Sequence, residues 1–131
     1  EFRRVLFRSY LVRPNRMTFP TFMALAVLAA ATGCSRGPVL TISNRSALTV
    51  SNIVVSGTGF TQSIGNIDPG AELRLPLQPR GESGLRMTFD AAGKRVDSGE
   101  QGYFESGGGY RVKAVIQTNL GVTISQETGP Y

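Results

Sequence analysis

The amino-acid sequence predicts an all-β protein, a single small antiparallel β-sandwich of about seven or eight strands. Three observations predict it. Beyond Pro38, apolar and polar residues alternate at period two, and no stretch sustains the i, i+3, i+4, i+7 spacing of an amphipathic helix. Clusters of turn-forming residues interrupt the alternation at roughly 8–12-residue intervals. About 98 residues run from Cys34 to the end of the chain, enough for one modest core and hardly for two.

The strands follow in order. Leu40 and Ile42 begin the domain, and Ile53 and Val55 come next. Ala71, Leu73, Leu75 and Leu77 share one face, with Glu72, Arg74 and Pro76 on the other. Pro76 has no N–H to give a ladder, so its strand is expected at a sheet edge or at a bulge. Leu85, Met87 and Phe89 alternate with Arg86, Thr88 and Asp90. Tyr110, Val112, Ala114 and Ile116 alternate with Arg111, Lys113 and Gln117, leaving Val115 out of pattern, and Val122 and Ile124 close the domain. Turns are expected at Asn44-Arg45-Ser46, Gly57-Thr58-Gly59, Asp68-Pro69-Gly70, Arg80–Gly84, Ala92-Gly93-Lys94, Gly107–Gly109 and Asn119-Leu120-Gly121. Such a pattern fits an Ig-like or related sandwich.

The chain of 131 residues carries 14 Lys+Arg against 9 Asp+Glu, a formal net charge of +5. That surplus is not spread evenly. Residues 1–33 hold five arginines against Glu1, a net of +4, whereas nine bases and eight acids from Cys34 onward leave +1. A nucleic-acid role fails on that near-neutral domain and on the missing basic stripe. With no histidine, catalysis, metal ligation and pH switching through imidazole are excluded, and one cysteine excludes an internal disulfide.

Residues 10–33 read as a signal peptide with an N-terminal signal helix. Arg13 and Arg16 supply the basic start, and Phe22–Ala31 is an unbroken apolar run of ten residues. A bilayer-spanning helix needs about 20 such residues, so ten suit the core of a secretory signal instead. Ala31-Thr32-Gly33 are small, and Cys34 follows. This arrangement resembles the lipobox of bacterial lipoproteins, with Ala31 where the family usually has Leu. The resemblance implies cleavage between Gly33 and Cys34 and a diacylglycerol on the Cys34 thiol. Two or three acyl chains, at about 0.8 kcal/mol per buried CH₂, would anchor the protein essentially permanently. An ordinary signal peptide, cut nearby to leave Cys34 as a free thiol, is the competing reading. Such a thiol is a liability in an oxidising compartment. Ser35, as a residue other than Asp after the cysteine, implies by the same resemblance an outer-membrane lipoprotein facing the periplasm. Residues 34–38 then form a lipidated tether, and 39–131 the sandwich domain. Glu1–Ser9 (EFRRVLFRS) back-translates to a sequence similar to a common short-read sequencing adaptor, and is excluded from fold reasoning as an artefact.

Ser98–Tyr110 (SGEQGYFESGGGY) gathers Tyr103, Phe104 and Tyr110 among five glycines. Exposed rings on a flexible loop could stack on a sugar or anchor a partner. The plainer expectation, favoured here, is that one or two rings plug an open end of the sandwich. Asp90, Asp97, Glu100 and Glu105 lack the spacing of a calcium loop, and nothing marks two of them as a glycosidase pair, so they read as solvated turn charges. Arg80, Glu82 and Arg86 form a surface ion-pair cluster or a partner contact. Asn44-Arg45-Ser46 matches a glycosylation sequon and is read as a turn. No G-x-S-x-G motif or dinucleotide fingerprint is present. No catalytic residue, metal or cofactor is therefore assigned.

The stretches IDPGAELRL, RGESGLRMTFD and DSGEQGYF are similar to small uncharacterised lipoproteins of Gram-negative bacteria. That resemblance covers most of the domain and adds no active residue. The expectation is a non-enzymatic protein-binding or scaffold module, held to the membrane by its acyl chains and contacting an envelope protein. The alternative is a glycan- or peptidoglycan-binding module using Tyr103, Phe104 and Tyr110.

Overall fold

In a computed structural model the chain is described over residues 36–129. The adaptor-like segment, the signal peptide and Cys34 lie outside the described residues. Eight strands make up the domain: β1 (Val39–Asn44), β2 (Val50–Gly57), β3 (Phe60–Ile67), β4 (Glu72–Pro76), β5 (Glu82–Ala91), β6 (Lys94–Glu105), β7 (Tyr110–Ile116) and β8 (Val122–Thr128). They form two four-stranded sheets, ordered β4-β1-β7-β8 and β3-β2-β5-β6. The fold is an all-β sandwich, and among the described residues there is no helix.

The period-two faces meet between the sheets. Leu40, Ile42, Val112, Ala114 and Ile116 come from the first, and Ile53, Val55, Leu85, Met87, Phe89 and Phe104 from the second. Each large apolar side chain among them, removed from water, contributes about 1.5–3 kcal/mol. This core and every ladder that frames it lie between Pro38 and Gly129, so residues 34–131 close a sandwich of their own. Pro38 is buried, and its carbonyl accepts from the Leu77 amide at 2.9 Å, so the end of the expected tether already belongs to the domain.

Three details depart from expectation. First, the sandwich is not wholly antiparallel, because β1 and β7 run parallel, from Val39↔Arg111 to Asn44↔Ile116. Alternation has the same period in either direction, so it carries no sign of strand sense. Second, β4 is the expected edge strand with Pro76 at its end, yet Leu73 is 37% exposed. Its register partner Ile42 is fully buried, but Leu73 sits on the outermost strand, where only one side is covered.

Third, most of the expected Ser98–Tyr110 loop is strand. Residues 98–105 continue β6, and only the turn at 106–109 is irregular. The β5–β6 register slips between Ser83 and Leu85 and again between Arg86 and Thr88. Each slip is a bulge on β6 that coincides with a positive-φ glycine, Gly102 (φ 76°) and Gly99 (φ 67°). A bulge with its first residue in the left-handed region calls for glycine, so these glycines bend a strand instead of loosening a loop.

Candidate functional site

The three rings do not form one site. Phe104 is fully buried and tilts against Phe60, with centroids 6.3 Å apart and planes at 51°. As the inward residue of β6 it belongs to the core, which removes it from the expected binding loop. Tyr103, its neighbour, faces outward and is 41% exposed. Tyr110 is half-buried and meets Tyr103 edge-to-face, with centroids at 6.5 Å. The Tyr103 hydroxyl donates to a Glu105 carboxylate oxygen. That bond to Glu105, with some burial and nearby Glu82, pushes the phenol above its ordinary pKa. Of the expected platform, one exposed ring and the edge of a second remain.

Two carboxylates of the β3-β2-β5-β6 sheet, Asp90 and Asp97, are engaged by bases and amides. The Arg86 guanidinium takes Asp97 through both oxygens, with Nε at 2.9 Å from Oδ1. This pair, helped by the Gly99 amide, holds Asp97 down at about 2. Asn52 Nδ2 and Arg95 Nη1 donate to Asp90 at 2.8 and 2.9 Å, and lower it as well. Arg86 therefore pairs with Asp97 across β5 and β6 and not with Glu82. Among the described residues no group of three acidic or cysteine side chains is placed to hold a metal ion.

Sequence reasoning missed a feature of the opposite layer. On the outer face of the β4-β1-β7-β8 sheet, Arg74 and Lys113 flank Thr41 in one row, and Val39 pairs with Arg111 in the next. Arg36 and Arg111 line a common depression with Arg74. All four cations are exposed, and none is within ion-pair distance of a carboxylate among the described residues. The acids on this face are Glu72 and Glu127. Arg74, Arg111 and Lys113 are separated in the chain, so no basic run marks the patch. The signal was in the alternation: Arg74, Arg111 and Lys113 all stand opposite apolar positions of their strands.

The fold defines a small β-sandwich domain of two four-stranded sheets. No family model matches the chain. No curated protein matches it either. Among solved structures it is similar to an NMR structure of a protein from Eubacterium rectale, at 17% identity. The match covers 76% of this chain and 96% of that one, with a TM-score of 0.46. A likeness of that order carries no functional argument.

Proposed function

We propose that the protein is an exported, lipid-anchored envelope lipoprotein whose sandwich is a non-enzymatic protein-binding or scaffold module. The observation that carries this reading is the place of the chain's one cysteine. Cys34 follows an apolar run and three small residues, and stands just four residues ahead of Pro38, where the packed domain begins. An acylated Cys34 would tether the sandwich close to the start of β1. For partner contact, β3 is the strand best suited among the described sheet edges. Its sequence FTQSIGNI has neither proline nor charge, two of the devices that blunt an edge, although its register with β2 shifts between Gly65 and Ser63. An extended segment of an envelope protein could add to it through backbone hydrogen bonds.

Mass spectrometry of the N-terminal peptide from the membrane fraction tests the address. A peptide beginning at Cys34 with acyl mass, absent from Cys34→Ala, is the expected result. An unmodified thiol, or a soluble protein cut upstream of Cys34, overturns it. A photo-crosslinker placed at Ser63 on β3 tests the edge, and should yield a defined adduct in cells that the same probe at Thr123 does not.

The exposed Tyr103 ring favours a second reading, glycan or peptidoglycan binding. Titration with glycan fragments should then shift the Tyr103 and Tyr110 ring resonances. Unmoved rings at saturating fragment would end that reading.

A further inference from the structure

We propose that the outer face of the β4-β1-β7-β8 sheet docks on an anionic lipid surface through Arg36, Arg74, Arg111 and Lys113. The domain is nearly neutral, with nine bases and eight acids from Cys34 onward, yet its two faces differ. On the opposite sheet Arg86 and Arg95 are each paired with an aspartate. On this face four cations stand free of ion pairs among the described residues, against Glu72 and Glu127, a local surplus of +2.

The spacing suits headgroups. Arg74 and Lys113 flank Thr41 from the strands on either side, which puts them about 10 Å apart across the sheet. Thr41, Ser43 and Ser125 between and beside them are small, so phosphates can approach the guanidinium and ammonium groups. The apolar residues of this face are Val39, its register partner Pro76 and Val115, which is only 8% exposed; none is a long side chain, so contact is electrostatic adsorption without insertion.

The position of Arg36 selects a membrane over a soluble polyanion. It shares the depression with Arg74 and Arg111, and only Ser35 separates it from Cys34, a reach of about 7 Å. The orientation at the membrane rests on lipidation of Cys34, whereas the attraction of this face for anionic headgroups does not.

The test uses the chain from residue 34 to 131 carrying Cys34→Ser, which contains the whole core and both sheets. Co-sedimentation is measured with phosphatidylglycerol-in-phosphatidylcholine vesicles and with pure phosphatidylcholine. Binding is expected only to the former, and should weaken as salt shortens the Debye length towards about 8 Å. A basic side chain near such a surface is worth about fivefold in partitioning, so Arg74→Gln with Lys113→Gln should lose roughly 25-fold. Arg86→Gln with Arg95→Gln, on the other sheet, should leave binding unchanged. Unaltered urea midpoints in the first pair separate lost binding from lost folding. Equal partitioning to both vesicle types, or equal loss from the two variant pairs, overturns the proposal. Binding of polyglutamate in place of vesicles, with the same dependence on Arg74 and Lys113, also overturns it and assigns the face to an acidic protein segment. An unacylated Cys34 in cells would remove the anchoring reading and leave the vesicle result standing.

Discussion

The side-chain amide of Asn44 donates to the backbone carbonyl of Ile67 at 3.0 Å, joining the end of β1 in one sheet to the end of β3 in the other. Its second N–H goes to the Leu48 carbonyl at 2.8 Å, and its oxygen accepts from the Ser46 amide and hydroxyl at 3.0 and 2.7 Å. The backbone of Asn44 is equally occupied, with its amide on Ala71 and its carbonyl taking the Gly70 amide. A fully buried polar residue is tolerable on those terms, because every donor and acceptor it brings is matched.

Asn44→Ala should therefore destabilise the domain by roughly 3 kcal/mol, as it strands buried carbonyls and an amide at about 1–3 kcal/mol each. Ser46→Ala should cost about 1 kcal/mol, since Asn44 keeps its other partners. Asn44→Asp should be the worst of the three at neutral pH, with a carboxylate oxygen set against two carbonyls. Urea midpoints of the three variants check the order. The same geometry disposes of the sequon: both hydrogens of the Asn44 amide are engaged in the folded chain.

That residue shows where sequence reading stops. Asn44-Arg45-Ser46 signals a turn, and a turn is there, but composition does not tell a capping asparagine from one buried between two sheets. The alternation of Leu85, Met87 and Phe89 was legible because burial on one face imposes it directly. The parallel sense of β1 and β7 was not, since it depends on which distant strands come together. Nor did glycine content distinguish a loop from a twice-bulged β6. Of the candidate platform, Tyr103 and Phe104 are adjacent residues of one strand, so the pleat alone forbids both from facing the same ligand.

Phe104→Ala should behave as a core truncation and lose about 3–5 kcal/mol, because the ring is fully buried against Phe60. Tyr103→Ala, one residue away and largely solvent-facing, should lose less than about 1 kcal/mol. Thermal or urea unfolding of the two variants gives the contrast directly. A reversed order of losses would mean that the β6 pleat runs opposite to the one described.

Asp97 gives the domain a defined acid response. Its carboxyl is held at about 2 against an ordinary 3.8, chiefly by the Arg86 guanidinium and then by the Gly99 amide. A depressed value in the folded state means that the folded chain holds fewer protons than the unfolded one at intermediate pH. Its stabilisation is thus complete above the ordinary value and is lost as the pH falls from there through about 2. The group is exposed, so salt should screen much of the effect. Asp97→Asn should flatten the fall in urea midpoint over that acid window while leaving the slope near neutrality unchanged. An identical acid profile in Asp97→Asn would contradict the pairing.

The β5–β6 hairpin carries a correctable strain. Ala91 pairs with Lys94, so Ala92 and Gly93 are the two turn residues, and both lie at positive φ, 52° and 72°. That is the signature of a type I′ turn, whose twist matches the strands it joins. Gly93 meets the requirement without cost, whereas an L-residue with a Cβ in the left-handed region is disfavoured by roughly 1–2 kcal/mol. Ala92→Asn should raise stability by about 0.5–1 kcal/mol, because asparagine tolerates this region through local hydrogen bonding. Ala92→Gly should gain less, since its freedom in the unfolded chain offsets the relieved strain. Gly93→Ala should lose about 1 kcal/mol by placing a second Cβ in the same region. The ordering of urea midpoints, Asn above Gly above the parent and Gly93→Ala lowest, reads the turn type itself. A type I turn would abolish that ordering, since Ala92 would then sit at ordinary negative φ and gain nothing from either replacement.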